Sequence, residues 1–203
     1  MKRMERILLI GLIGAICWNQ LDKLSDTTQS LREEVLRLHI LANSDSKEDQ
    51  QLKLEVRDAL LASSETLFGD ADSLEEMIQC AEDSLDEIEQ IAADVIAQAG
   101  ETYSVHAEVV KTAFEEKTYD TLTMPAGVYD ALRVTIGEAE GQNWWCVMYP
   151  PLCIPAAETV TADTDTAQDY FSEDELDVMQ HPRRYRIRFK CLELFDRFRS
   201  IFW

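Results

Sequence analysis

The chain opens on Lys2, Arg3, Glu5 and Arg6 and then runs without a charge from Ile7 to Trp18. A charged start followed by a short apolar run predicts an export segment over residues 1–18, a signal peptide or short membrane anchor. It is shorter than the roughly 20 apolar residues with which a helix crosses about 30 Å of hydrocarbon. Bulky Ile16 precedes Cys17, where a lipoprotein signal carries a small residue, so cleavage and anchoring both stay open. Residues 35–42 alternate partly and are rich in β-formers, which predicts a strand. Asn43-Ser44-Asp45-Ser46 breaks it, and Ser46 to Asp49 has helix-capping spacing. Leu52, Val56, Ala59, Leu60 and Leu67 recur at helical intervals, predicting one helix to about Phe68, closed by Gly69. A second capping signature at Ser73–Glu76 opens a seam of Leu74, Ile78, Ala81, Leu85, Ile88, Ala92, Val95 and Ala99. Steps of four and three give it the heptad rhythm, so a single helix of about 39 Å is predicted up to Gly100. That helix is either a coiled-coil partner surface or an amphipathic layer laid on a sheet.

From Tyr103 the period changes to two. Tyr103, Val105, Ala107 and Val109 alternate with polar neighbours; a short strand is predicted over Thr118–Met124, and Pro125-Ala126-Gly127 turns the chain. Val128 to Ile136 alternates again, Gly137 to Gly141 is a glycine-bounded turn, and Asn143 to Tyr149 returns as the fourth strand of this group. One strand, two helices and then antiparallel strands predict an α+β fold, a two-layer α/β sandwich with two N-terminal helices packed on a mainly antiparallel sheet. Residues 156–180 are acidic without a single Lys or Arg and read as a mobile, self-repelling linker ending in a short helix near Ser172–Met179. Residues 181–203 mix alternation with helical spacing of Leu192, Phe195, Phe198 and Phe202, a basic amphipathic segment suited to an anionic membrane surface or to docking on the acidic body.

Charge sharpens this division. The 203 residues carry 19 Lys+Arg against 39 Asp+Glu, a net charge of −20, and the basic residues gather at both ends. An acidic body of this kind excludes general nucleic-acid binding, which needs clustered Lys and Arg. Export also changes the cysteines. Cys146 and Cys153 flank Pro150-Pro151 and are either a small-loop disulfide or two reduced buried thiols.

Catalytic signatures are missing: no G-x-S-x-G, H-E-x-x-H, G-x-G-x-x-G, G-x-x-x-x-G-K, Asp-Thr-Gly or Asp-Ser-Gly occurs. Asp163, Asp165 and Asp169 suggest a calcium loop, but Gln168 stands where the sharp turn needs Gly, so no metal site and no cofactor are expected. The remaining enzyme reading is an extracytoplasmic thiol-dependent hydrolase with Cys146 or Cys153 as nucleophile and His39 or His106 as base.

Two blocks are more particular than a generic domain. One is Leu38-His39-Ile40-Leu41-Ala42-Asn43-Ser44-Asp45-Ser46 with Glu48-Asp49-Gln50, Leu52-Lys53 and Val56-Arg57-Asp58-Ala59. The other is Leu132-Arg133-Val134-Thr135-Ile136-Gly137-Glu138, Gly141-Gln142-Asn143-Trp144-Trp145-Cys146-Val147 and Pro150-Pro151-Leu152-Cys153. Over residues 31–155 the chain resembles the stage II sporulation protein R family of endospore-forming bacteria. The resemblance implies a messenger, exported into the space between forespore and mother-cell membranes. There it would trigger a membrane-embedded aspartic protease, stage II sporulation protein GA, which processes the precursor of sigma factor E. No catalytic residues come with it.

Trp144 and Trp145 are adjacent on a strand and must point to opposite faces, one free to anchor the core and the other to meet a partner. The hairpin end with Asn143, Trp144, Trp145, Pro150 and Pro151, together with the Asn43-Ser44-Asp45 turn, is therefore the expected surface for the protease. The competing reading makes both tryptophans core and the turn a helix cap.

Overall fold

The computed structural model describes residues 2–69, 71–119, 121–150, 152 and 164–185; within 2–17 it describes the side chains of Met4 and Leu12 alone. The chain order is α1 (Lys2–Glu33), β1 (Leu36–Leu41), α2 (Lys47–Ala62), α3 (Ser64–Phe68), α4 (Leu74–Asp83), α5 (Leu85–Gln98), β2 (Val105–Phe114), β3 (Lys117–Tyr119), β4 (Leu122–Met124), β5 (Gly127–Ile136), β6 (Asn143–Tyr149), α6 (Thr164–Tyr170) and α7 (Glu173–Gln180). The class is α+β, as expected.

The main sheet has the order β2-β5-β1-β6 and is mixed: β1 runs parallel to β5, while β2–β5 and β1–β6 are antiparallel. β1 thus lies between the two strands that the glycine-bounded turn joins, so β5 and β6 do not form the expected hairpin. The reason is physical: β1 is apolar on one face with Leu36, Leu38 and Ile40 and carries fully buried Arg37 on the other, so it needs cover on both faces. A central position supplies that cover. Short β3 and β4 pair with each other apart from the sheet, instead of forming one strand over Thr118–Met124.

Helices α2–α5 cover one face. Leu36, Leu38, Ile40, Leu132, Val134 and Ile136 meet Leu52, Val56, Leu60, Ile88, Ala92 and Ile96 there in one core. Both predicted helices are broken. Ser63 ends α2 with its amide on Ala59 O, and Gly69, at φ +56°, closes α3 where the terminator was expected. Ser84 interrupts the heptad seam; its amide bonds Cys80 O and its hydroxyl donates to Leu67 O at 3.1 Å, tying the break to α3. The seam is two short amphipathic helices, α4 and α5, laid on the sheet, not a coiled-coil rod of about 39 Å. Ala81, Ile88 and Ala92 are buried as the seam predicts, but Ile96 takes the last buried place and Ala99 is exposed.

The other sheet face carries a second core of Leu31, Val35, Phe114, Tyr119, Leu122, Met124, Tyr129, Ala131, Val147, Ala167, Phe171 and Met179. It is built by the C-terminal half of α1, the β3–β4 pair, α6 and α7, so helices lie on both sides of the sheet. Residues 164–180 are consequently not a mobile linker: Phe171, Glu175, Val178 and Met179 are buried, and Ser172 closes a capping box with Glu175 at the start of α7. Burial of this apolar stripe outweighs the acidic repulsion that suggested disorder. Residues 153–163 and 186–203, which include Cys153 and most of the basic segment, lie outside the described residues. Among the described residues no helix is long and apolar enough to cross a membrane.

Candidate functional site

The two sequence blocks meet where β1 ends. Pairing of Leu41 with Asn143, Ile40 with Trp144 and His39 with Trp145 sets the start of β6 beside the Asn43–Ser46 turn. The 137–142 connection crosses the end of β1 and is stitched to that turn. Gly141 N donates to Ala42 O (3.0 Å), Glu140 N to Asn43 O (3.2 Å), Glu138 N to Asn43 Oδ1 (3.0 Å) and Gln142 N to Asp45 Oδ1 (2.8 Å). Contact is so close that an added Cβ on Gly141 would sit 2.2 Å from Ser44 O, and one on Gly137, at φ +58°, 2.2 Å from Asn43 Oδ1.

Behind the turn, buried Asp49 is the organising anion. It accepts from Ser44 Oγ (2.5 Å) and Asn43 Nδ2 (2.9 Å), and its own amide donates to Ser46 Oγ (3.0 Å). The hydroxyl of Ser44 first, and then the amide of Asn43, hold its carboxyl below the usual carboxylate range. One turn on, Lys53 Nζ donates to Gln142 O (2.8 Å) and Gln50 Oε1 (2.6 Å); burial pushes its pKa down, with Arg57 adding and Asp45 opposing. A further turn on, Arg57 lies 4.4 Å from the ring centre of Trp144 and pairs with Asp58. Asp49, Lys53 and Arg57, spaced by four, make a buried polar stripe along α2 that props up the crossing loop. The sequence reading missed their role, although three charges at helical spacing beside Leu52, Val56 and Leu60 were the available signal.

Of the expected contact residues, Asn43 and Ser44 are half-buried and spent on holding the loops, whereas Asp45 and Asn143 are exposed. Trp144 and Trp145 do point to opposite faces. Trp144 packs on the helical core and Trp145 on the second core, both half-buried, each with an indole N–H buried and unpartnered among the described residues. Pro150 is buried at the far end of β6, about 20 Å from Asn143 at strand rise, so the structure does not bring it to the turn. Pro151 lies outside the described residues.

Beside Trp145 on the same face stands His39. Its Nε2 lies 2.7 Å from Asn143 Oδ1, and its ring meets those of Phe114 and Trp145 edge-on at 5.6 and 6.1 Å. Donation from Nε2 leaves Nδ1 as a buried acceptor with no partner among the described residues. Burial holds its pKa below 6.5, Arg133 and Arg37 add to this, and the Asn143 bond opposes it. The unfolded chain therefore binds a proton near pH 6.5 that the folded chain refuses, so this contribution to stability is complete above that pH and lost as pH falls below it. The urea midpoint should drop between about pH 7.5 and about pH 5.5, and His39→Gln should flatten that drop; an equal drop in the variant would refute the assignment.

Cys146 and His39 are not brought together as nucleophile and base. Cys146 faces the helical core, opposite His39; it is fully buried and disulfide-bonded, to a cysteine whose side chain is not among those described. Its sulfur is not available as a nucleophile in this state. Among the described residues no cluster of His, Cys, Asp and Glu could hold a metal ion.

Comparison with known proteins adds the lineage. The family described as Stage II sporulation protein R matches residues 32–159, more than half of the chain. A relative of that name from Bacillus subtilis (strain 168) is 38% identical over 148 residues, covering 72% of this chain. The chain spans 66% of that relative's length. No solved structure matches. The matched stretch contains both strands of the stitched loops, the polar stripe of α2 and the adjacent tryptophans, and the chain belongs to the stage II sporulation protein R family.

Proposed function

We propose that this chain is a sporulation signal that works by contact. In this reading residues 7–18 direct its export into the space between forespore and mother-cell membranes. There it binds the outer part of the membrane-embedded aspartic protease, stage II sporulation protein GA, and so promotes processing of the sigma factor E precursor. The basic 181–203 segment adds an electrostatic hold on the anionic membrane surface.

The observation that carries the reading is the rigid rim at the end of β1. Four inter-loop hydrogen bonds and a buried anion fix Asp45, Glu138, Glu140 and Asn143 as an exposed edge, with the half-buried ring of Trp145 alongside. The sheet face next to it stays accessible, with the side chains of Arg133 and Glu108 31% and 36% exposed. A surface held this way loses little freedom on binding, which is how preorganisation favours affinity. A ligand of this kind acts by binding one conformation of the protease better than the other.

The test separates contact from folding. Trp145→Ala and Asn143→Arg should cut sigma-factor processing at least about tenfold while the far-ultraviolet spectrum and cooperative melt persist. Trp144→Ala, which strips the stacking partner of Arg57, should lose stability as well. If every inactive variant is also unfolded, the contact reading fails.

A further inference from the structure

Arg37 is fully buried in the second core, and no carboxylate pairs with it among the described residues. Nη2 donates to Tyr119 Oη at 2.6 Å, while Nε and Nη1 have no hydrogen-bond partner among the described residues. Its guanidinium carbon lies 4.0 Å from the ring centre of Phe114, 4.9 Å from Tyr129 and 5.9 Å from Tyr119. Aromatic faces recover only part of what a cation loses on leaving water. A side chain wanted for packing alone would be served better by Met or Leu at this position.

What the charge does supply is direction. A guanidinium has donors only, so Tyr119 Oη must accept from it and turn its own proton outward. That proton goes to Trp145 O, 3.1 Å away, on the edge strand β6. A second path runs through the rings: Phe114, beneath the guanidinium, meets Trp145 edge-on at 5.5 Å. Backbone and indole of Trp145 are thus both referred to Arg37.

We infer that Arg37 is a positioning residue, which uses Tyr119 and Phe114 to hold Trp145 in the orientation that the partner surface presents, at a cost in stability. The inference rests on the proposed contact role of Trp145, and its first readout needs no partner. The full chain is labelled with 5-fluorotryptophan, and the Trp145 fluorine resonance is assigned by its loss in Trp145→Phe. In Arg37→Met the denaturant midpoint should equal or exceed that of the parent chain, the Trp145 line should shift or split while the Trp144 line stays, and processing should fall about tenfold. Tyr119→Phe, which cuts the relay and keeps the rings, should displace the same line, and Arg37→Lys, which retains a donor to Tyr119, should restore it in part. A Trp145 line unmoved in either relay variant, or an Arg37→Met chain less stable than its parent, overturns the inference. A displaced line with undiminished processing would uphold the positioning role and overturn the contact reading of Trp145.

Discussion

Replacing Gly141 with alanine should unfold the loop junction and cost about 2–4 kcal/mol, a large part of the stability of a domain this size. The new Cβ would fall 2.2 Å from Ser44 O and 2.9 Å from the Ala42 Cβ. The first obstacle is backbone, which no rotamer change can move aside. Relief requires the crossing loop to lift, and lifting breaks the Gly141–Ala42 and Gln142–Asp45 bonds and the Lys53 bond to Gln142 O together. Gly100→Ala is the contrasting case: it places a side chain at positive φ, +85°, where Gly141→Ala does not, but it meets nothing within 4 Å and should cost only about 1–2 kcal/mol. Urea melts of the two variants decide it. A loss at Gly141 no larger than that at Gly100 would mean that the crossing loop yields to the added methyl group at little cost.

The second large effect concerns the N-terminal helix. Removing residues 1–18 should leave a cooperative melt, whereas removing residues 1–33 should abolish it. Leu24, Thr28 and Leu31 are buried, and Leu31 belongs to the second core with Tyr129 and Met179. Arg32 donates to Ala126 O at 2.8 Å, tying α1 to the turn before β5. Leu31→Ala alone should cost about 2–5 kcal/mol by leaving a cavity between α1 and the sheet. The family match begins at residue 32, after Leu24, Thr28 and Leu31, so a chain trimmed to the matched residues lacks part of its own core. Circular dichroism melts of the two truncations are the check, and a stable, cooperative 34–203 chain would refute the assignment.

Which parts were legible follows from the range of the forces involved. Capping is local, so Ser46, Ser73 and Ser172 each mark a helix start that the structure shows. Strand alternation is equally local, which is why β1, β5 and β6 sit close to their expected places. Helix interruption at Ser63 and Ser84 was hidden, because serine inside a periodic run breaks it only where tertiary packing rewards the bend; Ser84 finds that reward in Leu67 O. The order of strands was hidden as well. A glycine-bounded turn between two alternating runs favours a hairpin, and only the two-faced burial of β1 explains why it inserts instead. The 19–33 stretch does carry a local signal, since Leu24, Thr28 and Leu31 recur at steps of four and three. At the site, the tryptophan alternation was readable from the strand period. The inward duties of Asn43 and Ser44 were not, because they depend on Asp49 and on a loop nearly a hundred residues further along the chain.

The place of β1 has one more consequence. Its neighbours on either side, Asp130 opposite Leu36 and Val147 opposite Arg37, are synthesised long after it. A nascent polypeptide that enters a translocation pore N-terminus first would therefore carry its middle strand out early, with no strand yet available to zip against. In such a passage the sheet would close only after β5 and β6 had followed, a timing set by the order of the strands along the chain.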